Sequence, residues 1–309
     1  MGTTAQKLNK ILETKEAIRT AINNKGGTLT TTDTFASYPS AIDNLPSGGN
    51  DWLKEFLDET KDARYMFCGY ASGNVVATWY NNLTYERLQK ILSYDTTSNV
   101  TSMQGMFYYC KQLITIPSIN TSLVTDMSYM FGSCSKLTTI PQLDTSKVTS
   151  MNYMLASCVE LTTIPQLNTS NATNLQGMFG DCSKLTTIPQ FNTSKCTNMN
   201  SMFYGCYILK TIDITHMNIT SSSHNNGFAQ NCYSLTKLII RNMTTIPSLG
   251  SSAFTNCYHF TGTTNATYNP QGLKDGRIYV PDDKVDALKT ASGWRTYADI
   301  IVPLSTLVE

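Results

Sequence analysis

Apolar residues return to the same places along the middle of the chain. In VTDMSYMFGSCSKLTTIPQLDTSK (124–147), Met127, Met130, Phe131 and Cys134 stand at i, i+3, i+4 and i+7, the stripe presented by one face of a short helix. The stripe recurs as Met103, Met106, Phe107, Cys110; Met151, Met154, Leu155, Cys158; Leu175, Met178, Phe179, Cys182; and Met199, Met202, Phe203, Cys206. Thr125, Thr149, Thr173 and Thr197 stand just before these stripes, where a hydroxyl accepts a hydrogen bond from an orphan helix N–H. After each cysteine, the spacing of Leu137, Ile140 and Leu143 and their equivalents predicts a brief strand. Asp144, Asn168 and Asn192, each followed by Thr-Ser, then predict a turn back toward the next helix.

A single unit of this kind cannot bury its apolar face alone, so a fixed period of this length predicts stacked units that cover one another. The fold class that follows is α/β, with short parallel strands and short helices in a repeat of 24 residues. Stacked strands lie about 4.8 Å apart, so eight or so units make a slab on the order of 40 Å long. The repeats are placed at 99–272, with FAQNC (228–232) and FTNC (254–257) as looser copies of the helix end. RIYVPDDKVDALKTASGWRTYADIIVPL predicts strand, turn, helix and closing strand, a C-terminal cap within 273–309 in which Trp294 and Ile300 cover the last open face. Residues 51–98 predict the other cap, with DWLKEFLDETKDARYMF and LTYERLQKIL as helices around the apolar GNVVATWY.

Residues 1–45 read as a separate helical module. Leu8, Ile11, Leu12, Ile18 and Ile22 share one helical face, Thr3 and Gln6 have capping-box spacing, and Lys25-Gly26-Gly27 is a stop signal. PSGGN (46–50) reads as a hinge. So short a helix has no core of its own and either bundles with copies of itself, as a homo-oligomer, or docks on a partner; the five apolar residues are the candidate anchoring surface.

Charge narrows the functions. Lys and Arg total 23 against 22 Asp and Glu, with no basic cluster, which argues against a nucleic-acid partner. The opening MGTTAQKLNK lacks the apolar segment of a secretory signal, and no apolar run is long enough to span a bilayer. The expectation is a chain made and assembled in the cytoplasm, without membrane insertion. Nine cysteines are an odd number, and Cys110, Cys134, Cys158, Cys182 and Cys206 keep the period of the fold, so they read as reduced, small core residues, not disulfides or a metal ladder. Cys196 takes the place of Val124, Val148 and Ala172 and reads the same way. His216, His224 and His259 are isolated and read as surface or loop residues. No nucleophile motif is present, no metal or cofactor is expected, and the chain reads as not an enzyme.

The candidate binding surface is the outward side of the strand segments. If Leu137 and Ile140 point inward, Thr139 and Pro141 point outward, and the column continues as Thr115, Thr163 and Thr187 with Pro117, Pro165 and Pro189. Gln142, Gln166 and Gln190 line one border. Such a polar, uncharged ridge suits a glycan or a protein, or simply keeps the edge of the stack solvated.

The units M-x-x-M-F-x-x-C-x-x-L-x-x-I-P with their T-S-x-V-T joints, over residues 99–304, resemble BspA-type leucine-rich repeats. That resemblance implies a right-handed parallel solenoid with a binding or structural role, and names no ligand. KLNKILETKEAIRTAINNKGGTLTTTDTFASYPSAIDNL resembles a short module found near the start of tail and fibre-associated structural proteins of phages of gut bacteria. Together the two resemblances imply a virion structural protein of a tail fibre, baseplate or head decoration. Its N-terminal helix binds other virion proteins and its solenoid faces a host-surface glycan or protein. The alternative is a bacterial surface adhesin.

Overall fold

The computed structural model describes residues 16–24, 61, 63, 64, 66, 67, 85, 88, 89, 92, 95–217 and 225–308. They form a mixed α/β chain with few helices and one four-stranded parallel sheet in the order β1 (Thr211–His216), β2 (Lys237–Asn242), β3 (Arg277–Val280), β4 (Ile301–Pro303). Upstream of β1, the 24-residue units join through single parallel bridges, Ser102 to Asp126 to Ser150 to Asn174 to Asn198, and Phe191 bridges to Ile214 of β1.

The stripe segments are not the helices predicted. Met130, Gly132 and Cys134 donate their N–H groups three residues back, to Met127, Tyr129 and Phe131. Between them, Met127, Tyr129, Phe131 and Ser133 donate sideways to Ser150, Asn152, Met154 and Ala156 of the next unit, at 3.0, 2.9, 2.9 and 2.6 Å. Tyr129 (φ 59°) and Ser133 (φ 63°) are left-handed, the signature of type II turns at 127–130 and 131–134. An isolated helix of this length is unfavourable, and it would also consume the N–H groups that bind the neighbour. The ribbon of turns keeps half of them for lateral bonding. The spacing of 3, 1 and 3 buries the same side chains in either conformation: Met127, Met130, Phe131 and Cys134 are all fully buried.

The threonines before the stripes are therefore not helix caps. Thr125, Thr149, Thr173 and Thr197 each direct backbone N–H and side-chain hydroxyl at the carbonyl of the threonine 24 residues earlier. A second ladder is buried: Thr121, Thr145, Thr169 and Thr193 donate their hydroxyls to the carbonyls of Asp144, Asn168, Asn192 and His216. The turn prediction matches the geometry, since Ser146, Ser170 and Ser194 donate N–H to the side chains of Asp144, Asn168 and Asn192.

Among the strand segments of the repeats, pairing is regular only where proline is absent. Segments 113–119, 137–143, 161–167 and 185–191 carry Pro117, Pro141, Pro165 and Pro189 and have sparse lateral bonds, such as Thr138 N–H to Ile114 and Thr186 N–H to Thr162, both at 3.0 Å. Proline supplies no N–H to a ladder. TIDITH and KLIIRN lack it and pair as the parallel strands β1 and β2, with Ile212 against Leu238 and Ile214 against Ile240.

The C-terminal segment keeps the predicted order of strand, turn, helix and closing strand: β3, then the helical turns Asp282–Lys284, Val285–Thr290 and Arg295–Tyr297, then β4. Trp294 is fully buried and donates its indole N–H to Pro247 at 2.8 Å; Ile300 is buried in the same core. At the other end, residues 51–60, 62 and 65 of DWLKEFLDETKDARYMF lie outside the described residues, and Arg64, Met66 and Phe67 are turns where a helix was expected. Ala63 and Phe67 donate N–H to Ser102 and Met106, the Phe67 ring stacks on Phe107 at 5.4 Å, and Cys110 donates its thiol hydrogen to Phe67. In LTYERLQKIL, residues 85, 88 and 89 are helical and Leu88 and Leu92 are buried. GNVVATWY, the PSGGN hinge and most of 1–45 lie outside the described residues, Leu8, Ile11 and Leu12 among them. Residues 16–24 are helical, with Ile18 and Ile22 buried in the same hydrophobic cluster as Phe67 and Leu88.

Phe131 lies in a stack, 5.5 Å from Phe107 with the rings nearly parallel. Phe131→Ala is expected to cost about 3–5 kcal/mol in urea unfolding. Ile114, at 58% exposure, gives a control: Ile114→Ala is expected within about 0.5 kcal/mol of the parent.

Candidate functional site

Within one strand segment, residues two apart face the same way. Gln142 and Asp144 accordingly share the solvent side, with Leu143 buried between them. Repetition turns the pair into two columns, Gln142, Gln166, Gln190 and Asp144, Asn168, Asn192. Between and beneath them runs a lateral groove of about 810 Å³, floored by Leu143 and Leu167 and bordered by Thr145 and Thr169.

Hydrogen bonds hold both columns. Gln142 Nε2 donates to the carbonyl of Gln166 at 2.7 Å, Gln166 Nε2 to that of Gln190 at 3.0 Å, and Gln190 Nε2 to Asp213 Oδ1 at 3.2 Å. The glutamine amides thus bridge neighbouring units where proline interrupts the backbone ladder. A carbonyl acceptor dictates the amide orientation, so Oε1 is the atom left for other contacts. In the second column, Asn168 and Asn192 use Oδ1 to accept from Ser170 and Ser194, which turns Nδ2 into the available group. Asp144 is the one ionisable residue among those lining the groove. The hydroxyl and N–H of Ser146 hold its carboxyl below the usual carboxylate range. Beyond the groove, Arg241 clamps Asp213, with Nη2 to Oδ2 at 2.7 Å and Nε to Oδ1 at 3.0 Å.

The structure brings Gln142, Gln166 and Gln190 together. Thr139, Thr163 and Thr187 are exposed and Thr115 half-buried, but none of the four lines the groove. Pro141, Pro165 and Pro189 are half-buried and Pro117 is buried, so the proline column does not stand outward as expected. Asp144, Asn168 and Asn192, read from sequence only as turn formers, are the residues that reasoning missed. Their signal was their two-residue spacing from the glutamines.

The thiols form a column of seven: Cys110, Cys134, Cys158, Cys182, Cys206, Cys232 and Cys257 are buried and free. Each donates its S–H to the carbonyl of a residue in the preceding unit, as Cys158 does to Phe131 and Cys182 to Leu155, both at 3.2 Å. Cysteine here is a small apolar side chain with one hydrogen-bond donor. Among the described residues no group of three or more His, Cys, Asp or Glu is placed to hold a metal ion. No helix among them is long and apolar enough to cross a membrane. His259 bridges the Asp275 carboxylate and the Tyr268 carbonyl at 2.7 and 3.0 Å, tying down the loop after Cys257. His216 contacts Thr215, and His224 lies outside the described residues.

Burial raises the thiols: Cys182 is pushed from 9.0 up to about 12, Cys196 up to about 11, and Cys158, Cys206 and Cys257 also rise. The folded chain keeps these protons where the unfolded chain releases them. Stability is therefore fully present below the ordinary thiol value and falls as pH rises through it toward the folded one, by up to about 1.4 kcal/mol per pH unit for each thiol. Urea midpoints are expected to be flat up to about pH 8 and to fall steeply above about pH 9. A bulky disulfide reagent at neutral pH is expected to reach the eight described cysteines only after unfolding.

No curated protein matches the chain. The family described as "Mycoplasma protein of unknown function, DUF285" matches over residues 76–186 and again over 137–243, two overlapping stretches that take in most of the repeating units and together cover more than half of the sequence. The chain belongs to that family.

Proposed function

We propose that the stacked units are a right-handed leucine-rich repeat solenoid of the BspA type, and that the protein is a non-enzymatic structural and adhesive component. Its lateral groove is the binding face. The observation that supports this reading is the groove itself: the same two polar positions, repeated across three units, line a continuous channel outside the core. Catalysis needs singular, convergent ionisable groups, whereas repetition builds an extended surface suited to a chain-like or flat ligand.

The setting we favour is a bacteriophage virion, in a tail fibre, baseplate or head decoration, on the resemblance of the N-terminal stretch to phage structural modules. Attachment to other virion proteins is assigned to that stretch. Ile18 and Ile22 are already covered by the chain's own core, so the anchoring contacts fall to Leu8, Ile11 and Leu12. A bacterial surface adhesin is the second reading, favoured by a family description that names a cellular organism.

An antibody to this protein, applied to purified phage particles and to intact cells of the producing strain, separates the two. The virion reading expects labelling of particles in constant stoichiometry and unlabelled cells. Labelled cells with blank particles support the adhesin, and a protein on neither, soluble in the lysate, contradicts both.

A further inference from the structure

Resting on the reading of the groove as a binding face, we infer that its ligand is an uncharged, hydroxyl-rich glycan chain lying along the stacking direction, with one sugar ring over each unit.

The chemistry of the two columns points there. One edge offers the acceptor Oε1 of Gln142 and Gln166, because Nε2 is committed to the next unit's carbonyl. The other edge offers the donor Nδ2 of Asn168 and Asn192, because Oδ1 is committed to Ser170 and Ser194. Among the described residues neither Oε1 nor Nδ2 has a protein partner. A hydroxyl both donates and accepts, so a sugar ring set between an acceptor edge and a donor edge satisfies both.

The period selects among chain-like ligands. Adjacent units repeat at about 4.8 Å, the spacing of paired strands. A β-1,4-linked hexose chain advances by close to that distance per ring, and although successive rings are turned over, every ring carries hydroxyls on both edges, so each unit meets a donor and an acceptor. An extended peptide places its same-side groups about 6.7 Å apart, twice the strand rise, and falls out of step within two units. Charge disfavours another class: the one ionisable lining group, Asp144, has its carboxyl held below the usual range by Ser146, and it repels the acidic groups of a charged polysaccharide.

The test is calorimetric titration of the full chain with cello-oligosaccharides and chito-oligosaccharides of increasing length, and with hyaluronan oligosaccharides as the charged counterpart. In at least one neutral series, affinity is expected to rise with each ring until the groove is filled and then to level off. Asn168→Asp and Asn192→Asp together keep the Oδ1 acceptor and the turn, as Asp144 does naturally, and exchange each donor for a charged acceptor. The double variant is expected to lose about tenfold or more of the affinity for the neutral chain, for two lost hydrogen bonds, and to keep a cooperative unfolding transition at a slightly lower temperature, because the new carboxylates stand in a row with Asp144. Binding that is absent in both neutral series, independent of length, indifferent to the double substitution or tighter for hyaluronan overturns the inference. The same variant distinguishes this failure from failure of the wider reading. If it weakens adhesion of the protein to host cells although no neutral glycan binds, the groove is a binding face for another ligand class. If adhesion is also unaffected, the groove is not the binding face.

Discussion

The lateral hydrogen bond from one unit's turn ribbon to the next is the constraint from which the rest follows. The ribbons lie over a sealed core, where a backbone N–H without a partner costs about 1–3 kcal/mol. Within each ribbon, alternate N–H groups are satisfied three residues back and the others only by the neighbour. No unit can meet this requirement alone. It also dictates the backbone: Tyr129, Ser133, Tyr153 and Ser157 accept left-handed conformations, each costing roughly 1–2 kcal/mol, because lateral bonding recovers more than that across the stack. Glycine takes the equivalent place at Gly177, where φ is +59° and a Cβ would overlap the Tyr153 ring.

The same constraint explains why core and surface repeat together. Once the backbones are in register, every side chain meets its own counterpart. Phenylalanines stack on phenylalanines, as Phe179 does on Phe203 at 5.6 Å, and threonines bond to threonines through the previous carbonyl. Thiols find a carbonyl in the preceding unit. On the outside, register aligns glutamines into one polar edge and Asx residues into another, and a groove results. The groove is inherited from the packing, and its polar lining occupies positions that the core leaves open.

Period, buried stripe, Asx turns and the order of elements in the C-terminal segment were legible in the sequence, since each depends on which residues are apolar and how far apart they stand. The conformation of the stripe was not. Met127, Met130, Phe131 and Cys134 have a helix's spacing, and only the lateral bonding of the backbone, which no side-chain pattern encodes, decides for turns. The strand segments were half legible: their apolar positions were right, while Pro117, Pro141, Pro165 and Pro189 carried an unread message about missing donors. The turns at Arg64, Met66 and Phe67 were hidden because 40 residues, not 24, separate Lys61 from Thr101, although DARYMF (62–67) nearly repeats DMSYMF (126–131). The groove was visible as a glutamine border and incomplete, because Asp144, Asn168 and Asn192 already had a sufficient role as turn formers.

If lateral bonding between equivalent positions holds the molecule together, one whole unit is dispensable and half a unit is not. Removing residues 148–171 joins Lys147 to Ala172 and leaves every ribbon facing an equivalent partner; removing 148–159 leaves the ribbon at 127–134 facing a strand segment. Urea unfolding of the two deletions decides the matter. The whole-unit deletion should retain a cooperative transition and the half-unit deletion should lose it. A whole-unit deletion that fails to fold, or a half-unit deletion as stable as the parent, would show that something other than unit-to-unit register specifies this fold.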